Sequence, residues 1–219
     1  MNTVNGIVLA ISAAVLVLPM AASAYTSGDK LVKFGAASVN PESTSDHIGS
    51  SENAVGADDD VQLGISGTYM VSSKLGFELL AATPFSHDLK GKGAGLADAD
   101  IGSAKQLPPT LSAQYYFLGS QNKFKPYIGA GLNYTVFFSE EAGSAAEALG
   151  YDDLELDDSF GLSAQIGFDY QVNNQWLLNA SAMYAKIDTT ATLTGDAGTL
   201  EVDYDLDPMV YRLNVGYKF

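Results

Sequence analysis

From residue 30 onward the chain returns repeatedly to a period of two. Over residues 159–170, Phe160, Leu162, Ala164, Ile166, Phe168 and Tyr170 alternate with Gly161, Ser163, Gln165, Gly167 and Asp169. Such alternation marks a β-strand with one apolar face and one polar or small face. The segments 30–38, 61–70, 75–85, 110–117, 126–138, 176 to about 188 and about 207–219 behave in the same way. Each is close to the roughly 9–11 residues that a tilted strand needs to cross hydrocarbon. The polar faces carry Gly, Ser, Asn and Gln, not the many Lys and Glu of a soluble sandwich.

The connections alternate in length. Short turns fall at 71–74, 118–125 and 171–175, and long loops at 39–60, 86–109, 139–158 and 189–207. This predicts an all-β fold: an eight-stranded antiparallel transmembrane β-barrel with short periplasmic turns and long extracellular loops. Aromatics gather at strand ends, among them Tyr69, Phe85, Phe117, Phe168, Tyr170, Trp176, Tyr217 and Phe219. That is the placement of interfacial girdles. An eight-stranded barrel is narrow enough for side chains to fill, or to admit one small ligand.

Both ends of the chain fit this picture. Residues 7–18 are apolar except for Ser12, and Pro19 and Ala22-Ser23-Ala24 follow. This reads as a signal peptide over 1–24, cleaved after Ala24, although no Lys or Arg precedes the run. The barrel domain is then 25–219; the alternative reading of the leader is a buried helix. At the other end, Tyr211-Arg-Leu213-Asn-Val215-Gly-Tyr217-Lys-Phe219 alternates to the last residue. It resembles the closing strand of bacterial outer-membrane barrels, whose terminal Phe is an assembly signal. The resemblance assigns that role to Tyr217 and Phe219, with the barrel-assembly machinery as a partner. A sandwich edge strand is the alternative.

Composition narrows the function classes. The formal charge is −15 and cysteine is absent. An acidic chain of this kind is a poor partner for nucleic acid, and stability comes from something other than disulfides. Most carboxylates lie in the long loops; Asp29, Glu78 and Asp169 are the exceptions.

Several blocks resemble the OmpW-like small outer-membrane barrels, which include the AlkL-type hydrocarbon uptake proteins. They are Glu78-Leu-Leu-Ala-Ala-Thr-Pro-Phe85, Leu107-Pro-Pro-Thr110, Lys125-Pro-Tyr-Ile-Gly-Ala-Gly-Leu-Asn-Tyr134, Asp188-Thr-Thr190 and Leu206-Asp-Pro208. The first and third long loops match least. The resemblance implies a bacterial outer-membrane location and a lumen that takes up small hydrophobic molecules. It further implies their sideways release through the wall, because the lipopolysaccharide leaflet blocks direct partitioning. Outer-membrane lipid, lipopolysaccharide and small hydrophobic solutes are the partners implied.

Most of the chemistry-bearing residues have a plain structural reading. His47 and His87 lie in long loops without a motif that would place them for catalysis or zinc, and are read as solvated. No enzyme, cofactor or metal site is expected. The clusters Asp58-Asp59-Asp60 and 152–158 lack calcium-loop spacing and are read as a solvated acidic rim. Gly91-Lys92-Gly93 lacks the ending of a phosphate loop.

Strand parity turns Lys33, Glu78, Asp169 and Arg212 inward. On the lipid side an Arg or Lys costs roughly 2–4 kcal/mol at the midplane. Paired in the lumen, the four form a charge plug that closes the lower barrel. Leu80 and Met183 also face inward and are assigned to a substrate path; the family often has Trp at the position of Met183. Pro84, Pro108 and Pro109 lie near the loop ends of the third and fourth strands, where proline breaks the ladder. They are assigned to a lateral exit, with ordinary strand ends as the alternative. The sequence thus reads as a passive channel for hydrophobic solutes, and the rival reading is a structural or surface-interaction barrel. Apolar residues at the mouth favour the first and charge alone favours the second. Replacing Phe219 by Ala, or deleting it, is expected to impair insertion and not the stability of barrels already formed. Outer-membrane levels under native expression, set beside unfolding of purified protein, check this.

Overall fold

The structure is a computed structural model that describes residues 25–42, 44–45, 55–91, 98–118 and 122–219. The leader and His47 lie outside the described residues. In chain order the first elements are β1 (Lys30–Asn40), β2 (Thr44–Ser45), β3 (Val55–Ala57), β4 (Asp60–Met70) and β5 (Leu75–Ala82). Next come β6 (Phe85–Gly91), β7 (Asp100–Leu107), β8 (Thr110–Tyr116), β9 (Phe124–Ala142) and the short α1 (Ser144–Ala148). The chain ends with β10 (Asp153–Leu156), β11 (Ser159–Gln171), β12 (Trp176–Ala185), β13 (Asp188–Gly195), β14 (Gly198–Asp205) and β15 (Met209–Lys218).

Eight of these strands close on themselves in the order β1-β4-β5-β8-β9-β11-β12-β15, every pair antiparallel. Pairing of β1 with β15, from Leu31↔Lys218 to Asn40↔Met209, completes the ring. The predicted faces are the observed ones. Leu63, Phe160, Leu162, Ile166 and Leu213 point outward and are exposed, whereas Ser66, Gln114, Asn133, Gln165 and Asn179 are buried inside. The narrow bore also requires small inward residues. A Cβ on Gly35 would run into the Leu213 carbonyl, and one on Gly131 into that of Leu111. Below, Trp176, Tyr217 and Phe219 stack edge to face with centroids 5.0 and 4.8 Å apart, forming part of the lower aromatic girdle.

Two predicted features take a different form. The third strand does not reach Phe85: it ends at Ala82, and Phe85 opens β6 after the break at Thr83 and Pro84. The reason is local, since Pro84 has no amide to continue a ladder. The long loops are largely sheet. β9 runs on past the end of β8 and pairs there with β7, which pairs with β6, and β6 with β3. A second sheet, β10-β13-β14-β2, stands beside it. Between them lies an apolar core that includes Leu89, Phe137, Leu154, Leu156, Ile187, Leu193 and Leu206. Burial of that core gives the extracellular half its own reason to fold. Leu213 is 70% exposed midway along the lipid-facing side of β15. Its replacement by Arg is therefore expected to cost about 2–4 kcal/mol of folding stability, measurable by reversible denaturant unfolding into lipid vesicles.

Candidate functional site

The lumen is layered from bottom to top. At the floor Tyr25, Leu31, Met70, Tyr116, Tyr127 and Leu177 pack into a buried cluster. Above them lie four buried ionised residues from four different strands. Glu78 accepts from Lys33 Nζ at 3.1 Å through Oε2 and from Arg212 Nη2 at 3.0 Å through Oε1. Ser66 Oγ donates to the same carboxylate at 3.0 Å. Arg212 also donates from Nε to Ser181 Oγ and from Nη2 to Gln165 Oε1. Asp169 sits 3.9 Å from Lys33 Nζ and accepts from Tyr25 OH at 2.7 Å and Asn179 Nδ2 at 2.8 Å. Two cations thus face two anions, and each carboxylate has further donors, the arrangement that makes buried charge tolerable; Lys125, also buried and in register with Asp169, places its Nζ 4.9 Å from the centre of the Tyr25 ring. Strand parity brought the four together because residues of one parity on neighbouring strands share the lumen.

Above the charge layer the wall becomes apolar. Leu80, Phe85, Met183, Val210, Ala37 and Val39 pack together. They border a narrow cavity of about 20 Å³ that also touches Ala81, Ala82, Pro108 and Gln106. A second cavity, of about 10 Å³, lies between Leu89, Phe137, Leu156 and Leu206, and again touches Gln106. A third, of about 30 Å³, is lined by Val55, Leu89, Ile101, Leu154, Leu193 and Val202 among the extracellular strands. Gln106 is common to the first two, and Leu89 and Tyr204 to the last two.

The lower cavity meets the wall at the prolines. The β5–β8 ladder stops at Leu80↔Thr110. Beyond it, Thr83 turns to β4, its amide donating to Leu63 O. Pro109 O accepts from Tyr134 N, and Pro108 O accepts from Asn133 Nδ2. Each side of the break therefore pairs with its other neighbour. Outward-facing Ala81 and inward-facing Leu80 border the same cavity there.

The family model described as the OmpW family matches residues 26–219. The chain belongs to the OmpW family. It is 45% identical over 197 residues to outer membrane protein W of Vibrio cholerae serotype O1, covering 90% of this chain and 91% of that protein. The crystal structure of OprG from Pseudomonas aeruginosa is similar with a TM-score of 0.83 at 40% identity, over 90% of this chain and 98% of that one. Outer membrane protein AlkL of Ectopseudomonas oleovorans is 23% identical over 209 residues, 92% of this chain and 86% of the relative. This OmpW-family chain is accordingly a β-barrel of the bacterial outer membrane.

One expectation fails. His87 is not a solvated loop residue: it is 4% exposed, on the inner face of β6. Alternation had continued into the loop as Phe85, His87 and Leu89, and as Ala104 and Gln106 on the partner strand. That was the signal by which His87 and Gln106 were findable. Among the described residues no metal-holding cluster occurs, and Asp58, Asp59, Asp152, Asp153, Asp157 and Asp158 stand exposed.

The charge layer makes a double-mutant prediction. Glu78→Gln strands Lys33 and Arg212 with one anion and is expected to cost about 3–5 kcal/mol; Lys33→Met leaves the opposite excess. Combining the two restores neutrality around Arg212 and Asp169, so the double variant should cost clearly less than the sum. Denaturant unfolding of all three in detergent micelles measures the coupling.

Proposed function

We propose that this barrel is a passive channel for small hydrophobic molecules, which enter between the extracellular strands and leave sideways into the membrane. The observation that carries the reading is the succession of three apolar-lined cavities from the extracellular half to the break between β5 and β8. The mouth is apolar within although its rim is acidic, which favours transport over a surface-interaction role. The charge layer of Lys33, Glu78, Asp169 and Arg212 acts as the plug beneath. A greasy solute gains about 25 cal/mol per Å² of apolar surface removed from water and would forfeit that gain among buried ion pairs. Sideways release is the downhill course.

Leu80 and Met183 line the last step of the path, and Pro84, Pro108 and Pro109 frame the exit. The cavity is narrow, so passage requires these side chains to move. Met183, unbranched and adaptable, suits that task. The leader directs export, and Tyr217 and Phe219 serve the assembly machinery. The family resemblance points to the same class of cargo.

Cysteines introduced at Ala81 and Pro109, next in register past Leu80↔Thr110, test the exit in a chain that has no cysteine of its own. Joined by a disulfide or a short bis-thiol reagent, they should block uptake of apolar compounds by cells while the barrel stays folded, and reduction should restore it. Leu80→Asp should slow uptake by wetting the path. Unchanged delivery by the cross-linked, folded protein would overturn the side-exit mechanism.

A further inference from the structure

Gln106 lies between the middle and lower cavities and lines both. Its side chain is buried, with 1% of the residue exposed. The amide Nε2 is 2.8 Å from His87 Nε2, and His87 Nδ1 is 2.7 Å from the backbone oxygen of Asp58. A carbonyl oxygen can only accept, so Nδ1 carries the ring proton. Burial pushes the imidazole below its ordinary pKa, against the opposite pull of Asp58, Asp59 and Asp60, and the ring is neutral at pH 7. Its Nε2 is then an acceptor, filled by the Gln106 amide.

This fixes the orientation of Gln106. Its NH₂ end is committed to His87, and the end left over is the carbonyl, Oε1. That atom is buried and has no hydrogen-bond partner among the described residues. A second amide on the wall of the lower cavity, Asn133, is already engaged: Nδ2 donates to Thr110 Oγ1 and to Pro108 O, and Oδ1 accepts from Thr135. Gln106 therefore offers an open acceptor between the two cavities.

Building on the channel reading above, we propose that Gln106 is a specificity-determining residue whose Oε1 accepts a hydrogen bond from solutes carrying one O–H or N–H on an otherwise apolar body, such as a medium-chain alcohol or a phenol. An alcohol entering an apolar passage gives up its hydrogen bonds to water, and an unmet donor is costly there. The Gln106 carbonyl has already been desolvated, so it returns a bond without a new penalty. An alkane gains nothing from it, and a ketone or ether, which only accepts, presents lone pairs to lone pairs. The passage thus discriminates among molecules of equal size by whether they can donate.

The test compares initial uptake of isotope-labelled 1-octanol, 2-octanone and octane by cells with a native lipopolysaccharide layer. The cells carry full-length protein, its Gln106→Leu variant or neither. The wild type should favour octanol over octanone, and the variant should lower that ratio by roughly five- to tenfold, the worth of one hydrogen bond. An unchanged ratio in folded Gln106→Leu, or equal loss for all three compounds, would overturn the assignment. If the variant fails to fold, the wild type decides: the ¹³C resonance of the Gln106 side-chain carbonyl in lipid bilayers should shift with 1-octanol and not with 2-octanone. A resonance indifferent to octanol also overturns it. Entry of none of the three above the protein-free background would count against the channel reading itself, and the carbonyl resonance would still decide the hydrogen bond.

Discussion

No water is available inside a bilayer to satisfy a bare amide or carbonyl, so a sheet in hydrocarbon must close. Everything else in this protein is arranged around that demand. The ring closes where the first described strand meets the last, β1 against β15 along ten residue pairs. The break between β5 and β8 is tolerable for the same reason. Pro84, Pro108 and Pro109 have no amide hydrogen to leave unpaired, and the Pro108 and Pro109 carbonyls find donors on β9. The ladder thus breaks there without orphaned donors at the prolines that flank the break.

Closure with only eight strands leaves a bore that side chains must fill, and the filling is graded. Aromatic rings occupy the floor, paired charge the layer above, and aliphatic groups the space from Leu80 upward. Burying the ion pairs adds little stability for its own sake. What they provide is an interior unfavourable to grease below the level of the prolines. Because Glu78 belongs to β5 and Arg212 to β15, the same contacts also brace opposite parts of the wall.

The strands, their faces and the four lumen charges were legible in the sequence because side-chain direction in a strand is set by parity alone. Arg212 needed no more than its place between Tyr211 and Leu213. The extracellular half was less legible. Its segments lie outside the span that lipid imposes, and their polar turns and acidic residues hide the alternation. The pairing of β13 with β14, or of β6 with β7, depends on burial between two sheets, which no local pattern announces. His87 shows the cost of that blindness: a residue assigned to solvent because it lay in a long connection proves to be packed inside one. Gln106 needed the structure, since its meaning depends on which end of its amide the histidine holds.

Strand β9 joins the two halves of the molecule. It is a strand of 19 residues, about 65 Å of extended chain, with a bulge at Ser139 where φ is +53°. Tilted as barrel strands are, it rises about 45–50 Å against an apolar band of about 25 Å. One strand therefore carries β8 in its lower part and β7 in its upper part. The extracellular sheet is in this way a continuation of the barrel wall, raised into the zone above the lipid chains while the foot of β9 stands among them.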